Sequence, residues 1–373
     1  MRTMRITGTG IAMMLILQIA SAQMETDLSV MTMADDNVYN NADMRTSAVT
    51  SLSFSSGYAW LYETSEFRLF YDGTYSYYTD LTERTNHYHS LNAGYAAETD
   101  ADGNDILRVL LSAGTGLNRD GFVLYDRQFL SASADWKQLM SERFVSKIAY
   151  DLRMVDFPLL QDFSYTEHAF MMNGAYAVTP TTTAIVQADL GTKFYGTETE
   201  TSSASMRKGI MSSILPSVTQ LTGMLKVGQG LGDGIGLSAS LRYQWNIQKQ
   251  TRYLSSEYGY ISDDELFDDH YGYEGLHSSI VYTHHLTGSL LGRLTLGVQN
   301  KRYSSLAALD IDGNIIADQR IDTRYYMNVL LEHFIESSGI TLKLAVDMIG
   351  NRSNDVYYDY RNTAVTLECG IPF

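Results

Sequence analysis

Apolar and polar residues alternate one by one along several stretches of this chain, most regularly between residues 235 and 247. Apolar side chains such as Leu237, Leu241 and Trp245 fill the odd positions there, whereas Arg242 and Gln244 lie at even positions. Successive side chains of a β-strand point to opposite faces, so a period of two predicts a strand with one apolar and one polar face. An arginine behind a wholly apolar face is typical of a strand that separates lipid from a hydrated interior.

Three further segments, 184–194, 289–301 and 339–349, follow the same rule. A Lys or Arg on the lipid side of a transmembrane strand costs about 2–4 kcal/mol at the membrane midplane, so their charges belong inside. The predicted lumen-facing residues of the four strands are Arg242, Arg293, Lys301, Lys343, Asp189 and Asp347. If these charges pair across the interior they brace a closed barrel. If they are unpaired they create a transverse field that selects hydrophilic solutes.

Weaker alternation predicts ten more strands and a final one near 361–373, which makes fifteen. The weaker segments are 49–61, 66–78, 86–98, 105–117, 122–136, 143–154, 164–178, 212–227, 276–287 and 321–335. Both termini of such a barrel lie on one side of the membrane, so the count must be even. Either residues 27–33 add a first strand, or a weak segment such as 49–61 does not span. We therefore predict an all-β, antiparallel up-and-down transmembrane barrel of 14–16 strands.

The connections between these segments alternate between short and long. Short turns fall near 179–181, 228–234, 286–288 and 337–339, and long polar segments at 197–210, 249–275, 304–320 and 351–360. Outer-membrane barrels carry short periplasmic turns and long external loops, which assigns the two classes to the two ends. The barrel is expected over 49–373. Residues 23–48 are polar and are most simply a periplasmic lead-in, with a first strand as the alternative.

The start of the chain has the pattern of a secretion signal. Arg2 and Arg5 precede the apolar stretch 11–19, and Ala20-Ser21-Ala22 has small residues at the cleavage positions. The apolar stretch is shorter than the roughly 20 residues that a spanning helix needs. Residues 1–22 are therefore expected to be a signal peptide.

The end of the chain is also distinctive. Val365, Leu367, Cys369, Ile371 and Phe373 share one face, with polar or small residues between them. An exported chain with this closing strand resembles the class of bacterial outer-membrane β-barrel proteins. The resemblance implies a location in the outer membrane, contact with its lipids, and insertion by the barrel assembly machinery, with Phe373 as the assembly signal.

Composition narrows the range of functions. The net charge is −16, which disfavours nucleic acid as a partner. There are 27 tyrosines, which suit membrane-interface girdles, and a lone cysteine, which cannot form an internal disulfide. The mean hydropathy of −0.16 suits a barrel, because only one side of each strand meets lipid.

Candidate chemistry lies mainly in the acidic, tyrosine-rich loop 249–275. Clustered carboxylates attract hard cations, so its cation-binding candidates are Asp263, Asp264, Glu265, Asp268 and Asp269. A solvated surface loop is the simpler explanation. His87 and His89 share a strand face, a spacing that could hold a metal, but the sequence names no third ligand, so no metal site is predicted. His277 and Ser279 also share a face, but without a fuller hydrolase pattern we expect no catalytic residues and no cofactor.

These patterns favour a porin-like channel for small hydrophilic solutes, since a barrel of this size has room for a lumen and its inner faces are polar. The alternative is a structural or adhesive surface protein with a closed lumen and exposed acidic, tyrosine-rich loops.

Overall fold

The computed structural model describes residues 23–196, 217–248, 269–304 and 306–373. Sixteen antiparallel strands form a closed barrel, and two short strands, β14 and β15, pair with each other in a loop. The strands are β1 Gln23–Asp35, β2 Ser47–Leu61, β3 Ser65–Tyr78, β4 Asn86–Glu98, β5 Ile106–Asn118, β6 Arg127–Ser141, β7 Phe144–Asp156, β8 Tyr165–Thr179, β9 Thr182–Tyr195, β10 Ser217–Gly232, β11 Ile235–Asn246, β12 Tyr273–His285, β13 Leu290–Tyr303, β14 Ala308–Leu309, β15 Ile315–Ala317, β16 Ile321–Ile335, β17 Ile340–Ser353 and β18 Tyr360–Pro372.

Each barrel strand pairs with its neighbour along the chain, and β13 pairs directly with β16. β1 closes the barrel against β18, in a register that runs from Asp27 opposite Pro372 to Asp35 opposite Ala364. Closure leaves no sheet edge with unpaired backbone groups, which is the condition for crossing lipid with strands. No helix in the described ranges is long and apolar enough to cross a membrane.

The predicted fold class is confirmed, and the strand count resolves to sixteen. β1 is the additional first strand, and residues 49–61 also form a spanning strand. The barrel thus begins at Gln23 and not at residue 49, so the interpretation of 23–35 as a lead-in was wrong. Met31 and Met33 lie opposite Glu368 and Thr366 of β18 and face the interior. These two inward apolar side chains blur the alternation. The signal peptide expected over 1–22 lies outside the described residues.

The connections fall into two classes at the two ends of the barrel. Seven turns of two to seven residues lie at one end, together with the start of β1 and the end of β18. Eight connections of six to 26 residues lie at the other. Gly234 and Gly339 take positive φ angles of 73° and 70° in two of these turns, where a side chain would be strained. We call these the short-turn end and the loop end.

In the described part of the chain, five of the loop-end connections contain a 3-10 turn. These turns are Thr82–Arg84, Val123–Tyr125, Gln161–Phe163, His270–Gly272 and Val356–Tyr358. The first four contribute buried side chains, so the loops form structure inside the mouth of the barrel.

The outer face is apolar along most of its height. Leu91, Val186 and Leu367 are typical, with 57%, 61% and 60% of their surface exposed. Among the described barrel strands, the outward-facing Asp, Glu, Lys and Arg side chains all lie within two residues of the loop end of their strand: Asp156, Glu274, Arg302, Arg352 and Arg361. An uncharged, apolar band of this kind is the surface that a lipid bilayer requires.

Candidate functional site: the barrel interior

The inner face carries opposite charges on opposite sides of the barrel. On β10, β11, β12 and β13 the inward-facing formal charges are all positive. We call them the basic wall: Lys226, Arg242, Arg293 and Lys301. About half a turn away, β1, β2 and β3 carry the acidic wall: Glu25, Asp27, Asp35, Glu66 and Asp72, with Arg68 as its one cation. Charges arranged in this way set up a field across the lumen.

The basic wall contains two arginines without a carboxylate partner in the described part of the chain, Arg242 and Arg293. Arg242 lies directly opposite His277 on the next strand. The Nε2 atom of His277 is 2.7 Å from the hydroxyl of Tyr326. Lys301 is buried, with its Nζ 4.5 Å from the centre of the Tyr273 ring. The two arginines are therefore available to a solute or counter-ion.

The acidic wall is partly neutralised by its own arginine. Arg68 forms ion pairs with Glu66 and, at 3.6 Å, with Glu25. Asp72 accepts a hydrogen bond of 2.8 Å from the side-chain amide of Asn92. Among the described residues Asp27 has no such partner, and it lies in a pocket of about 670 Å³ near the short-turn end. The same pocket is lined by Asp72, Glu332, Lys343 and Glu368.

All six predicted lumen residues lie on the inner face, and three of them have an ion-pair or hydrogen-bond partner described below. Lys343 Nζ lies 3.0 Å from Glu368 Oε1 on the neighbouring strand. Asp347 accepts a hydrogen bond of 2.7 Å from the Asn328 amide, and Asp189 accepts one of 2.8 Å from the Gln187 amide. Lys301 contacts the Tyr273 ring. Arg242 and Arg293 are the two that have no carboxylate partner in the described part of the chain. The interior therefore combines both arrangements that the sequence left open, local bracing and exposed charge.

The predicted cation-binding loop is only partly described, because Asp263, Asp264, Glu265 and Asp268 lie outside the described residues. Asp269 is described, and its placement corrects the prediction for that residue. Its carboxylate is buried, 2.5 Å from Lys193 Nζ, and its other oxygen accepts the Tyr271 backbone N–H at 3.1 Å. Asp269 begins a 3-10 turn that folds into the barrel, so its oxygens are occupied by the protein itself.

Around this ion pair lies an apolar cluster inside the loop end, which we call the loop-end core. It consists of Tyr125, Val155, Phe157, Phe163, Tyr165, Tyr195, Val218 and Tyr271. The Tyr271 hydroxyl donates a 2.6 Å hydrogen bond to Glu167 on β8, and burial raises the pKa of that hydroxyl well above its usual range. Lys193 lies 3.8 Å from the centre of the Tyr165 ring. The connection between β11 and β12 is thus tied to β8 and β9.

A second buried cation is Arg320, the last residue of the connection 304–320, which contacts the connection 354–359. Arg320 binds Asp322, with a 3.0 Å hydrogen bond from Nε, and its guanidinium stacks 3.3 Å from the Tyr358 ring. Asp322 also accepts a 2.6 Å hydrogen bond from Ser353. The sequence pattern does not reveal this cluster, because the contacts with Ser353 and Tyr358 join residues that are far apart in the chain.

The remaining sequence candidates have structural partners. The Ser279 hydroxyl lies 2.7 Å from that of Ser240, and the His277 ring contacts Tyr326. His87 and His89 lie on the outer face, 2.9 Å apart through Nδ1 and Nε2, and His89 also contacts Tyr71. Within the described ranges, no three His, Cys, Asp or Glu side chains converge as metal ligands.

Comparison with known proteins agrees with this architecture. Residues 231–373 match a family model described as SlipAM, surface lipoprotein assembly modifier. No curated protein sequence matches the chain. The structure resembles the outer-membrane protein opdK from Pseudomonas aeruginosa, with 12% identity, a TM-score of 0.51, and coverage of 94% of this chain and 99% of that one.

Two other solved structures show the same fold. OccAB3 of Acinetobacter baumannii has 8% identity and a TM-score of 0.53, with coverage of 94% of this chain and 100% of the other. A structure titled bacterial polysaccharide outer membrane secretin has 9% identity and a TM-score of 0.52, with coverage of 93% and 98%. The chain therefore has the fold of bacterial outer-membrane barrels.

Proposed function

We propose that this chain is a porin-like channel of the bacterial outer membrane that passes small hydrophilic solutes. The observation that carries the proposal is the separation of charge between the basic wall and the acidic wall. Arg242 and Arg293 lack carboxylate partners in the described part of the chain, and an unpaired charge in a dry interior carries a large desolvation cost. Hydration of the lumen removes that cost. The field between the walls would then orient polar solutes as they pass.

The fold supports this function. A closed barrel of sixteen strands is of the size that leaves an aqueous channel when side chains do not fill it. The apolar outer band supports a position in the membrane, with the short-turn end in the periplasm and the loop end outside. In this proposed orientation, Phe373 would lie in the periplasm. Its backbone N–H donates a 2.8 Å hydrogen bond to Thr26, which ties the proposed assembly signal to β1.

Conductance of the purified, refolded chain in planar bilayers tests the proposal. We expect stepwise currents, and a reversal potential in a salt gradient that shifts towards cations when Arg242→Gln and Arg293→Gln are combined. The matched control is Arg302→Gln together with Arg352→Gln, which removes the same number of arginines from the outer face and should leave the selectivity unchanged. Absence of current across salts and voltages would contradict the proposal.

A closed surface protein is the alternative, and the loop-end core is the observation that favours it. Eight buried side chains inside the mouth narrow the barrel at the loop end. If the unmodified chain is silent but Lys193→Met conducts, the core closes the barrel. If both are silent, the structural or adhesive role is the better explanation.

The family match suggests a third possibility, because the name of that family concerns the assembly of surface lipoproteins. On this hypothesis the chain acts on a lipoprotein at the membrane. Protease treatment of intact cells with and without the chain would measure how much lipoprotein is exposed at the surface. Equal exposure in the two strains would exclude this role.

A further inference from the structure

On the described barrel strands, the basic side chains that face outward are three arginines. We call Arg302, Arg352 and Arg361 the outer arginine patch. Each is the second residue from the loop end of its strand, on β13, β17 and β18. All three are exposed. They therefore lie together at the upper edge of the apolar band, on one side of the barrel.

The strand registers place the three side chains close to one another. Arg302 lies opposite Ile321 on β16, and Arg352 lies opposite Thr323 on the same strand, two residues further along. Arg361 lies opposite Gly350, two residues from Arg352. Arg352 and Arg361 are therefore diagonal neighbours on adjacent strands, about 7–8 Å apart. Arg302 is separated from Arg352 by β16, so those two residues lie roughly 12 Å apart, which long arginine side chains can partly bridge. Between them, the Thr323 hydroxyl donates a 3.0 Å hydrogen bond to the Asn300 side chain on the same outer face.

Ion pairs with protein carboxylates do not account for this patch in the described part of the chain. None of the three arginines has an ion pair within 4.0 Å there. Glu274 is opposite Arg302 in the register, but one of its oxygens accepts the Asn246 backbone N–H at 3.3 Å. A group of guanidinium ions beside an apolar band favours an external anion. Guanidinium forms planar, paired hydrogen bonds with phosphate.

We propose that the outer arginine patch binds the phosphate groups of a phosphorylated lipid in the outer leaflet. A membrane lipid is the occupant that the position favours, because the patch begins where the lipid-facing band ends. Its acyl chains would cover the apolar side chains below, such as Tyr325 and Met348, while its phosphates meet the arginines. This inference rests on the proposed membrane location and is independent of the channel function.

Lipid retention by the full-length folded chain tests the proposal. The chain is incubated in detergent with bis-phosphorylated lipid A, and bound lipid is measured by native mass spectrometry. We expect the triple variant Arg302→Gln, Arg352→Gln, Arg361→Gln to bind about tenfold less. The variant Arg242→Gln with Arg293→Gln is the matched control inside the barrel, and it should bind as the unmodified chain does.

Further arms distinguish the sources of phosphate. Lipid A without its two phosphates should bind the unmodified chain about tenfold less than bis-phosphorylated lipid A does. Inorganic phosphate should bind far more weakly than the lipid. Equal binding by the triple variant, equal binding of the phosphate-free lipid, or tighter binding of inorganic phosphate would each overturn the proposal.

Folding of the variants is checked by their heat-dependent shift in gel mobility. Arg352→Gln alone, which changes the central residue of the patch, gives a second measurement if the triple variant fails to fold, and it should still weaken lipid binding. Channel currents measured on the same samples separate the two proposals. A silent chain that binds lipid through the patch contradicts only the channel.

Discussion

Two lysine–carboxylate pairs of the same chemistry lie at opposite ends of the barrel interior. At the loop end, Lys193 and Asp269 are each about 3% exposed and are surrounded by the loop-end core. Near the short-turn end, Lys343 and Glu368 are 35% and 28% exposed and line a pocket. The first pair is part of a packed interior, and the second lies in a polar lumen. The barrel interior is therefore packed with apolar side chains at the loop end and polar near the short-turn end.

The largest effect is expected when the buried pair is broken. Lys193→Met leaves the Asp269 carboxylate buried without its cation, which typically costs about 3–5 kcal/mol. We expect the segment around Asp269 to leave the barrel mouth. Hydrogen exchange of the Tyr271 and Tyr273 amides measures that release.

A double variant provides the control for this experiment. Lys193→Met with Asp269→Leu removes both charges, so it should recover most of the protection that the single variant loses. A single variant as well protected as the unmodified chain would show that the ion pair does not hold the segment.

A much smaller effect is expected for the exposed pair. Lys343→Gln should lower the free energy of unfolding by less than about 1 kcal/mol, because water and salt screen a partly exposed ion pair. Thermal or urea unfolding in the same detergent measures it, and high salt should reduce the difference further. A loss as large as that of Lys193→Met would show that the two ends do not differ as described.

The smallest effect concerns pH at the loop end. Enclosure within the barrel lowers the pKa of His270, and Lys193 and Arg242 lower it further, while Asp269 and Glu167 oppose the shift. A folded pKa below the unfolded value of about 6.5 means that the released segment takes up the proton more readily. The binding of the segment around Asp269 in the barrel mouth should therefore weaken as the pH falls below about 6.5.

Hydrogen exchange of the Tyr271 amide at pH 7.5 and 5.5, corrected for the intrinsic rate, measures this change. Since half of the His270 side chain is exposed, we expect a weaker effect than in either experiment above. His270→Gln should remove the pH dependence. Its persistence in that variant would assign the dependence to another group.

Alternation was sufficient to predict which residues face inward in the regular strands. The six lumen residues, from Asp189 to Asp347, all lie on the predicted face, because a two-residue period leaves no other placement once lipid covers one side. The same rule did not decide whether β1 is a strand, because its residues Met31 and Met33 face inward. An inward methionine costs little inside a barrel, so the pattern weakens without the strand being lost.

The loop-end core could not be predicted in this way. Tyr271 contacts Glu167, which is 104 residues away in the sequence. The contact exists because the 3-10 turn at His270–Gly272 enters the barrel and the closed sheet brings β8 within reach. Asp269 looked like part of a solvated acidic loop for the same reason: its partner, Lys193, is distant in sequence and has no local signal.

The sequence by itself determined that this chain forms a strand-rich barrel, which side of most strands meets lipid, and which charges lie inside. These properties follow from side-chain alternation and from the cost of placing charge in an apolar layer, and both act locally. The tertiary structure alone decided that the basic wall faces the acidic wall, that the loop end is packed, and that three arginines meet on the outer rim. Closure and strand register determine those relations, because they bring together residues that no sequence spacing connects.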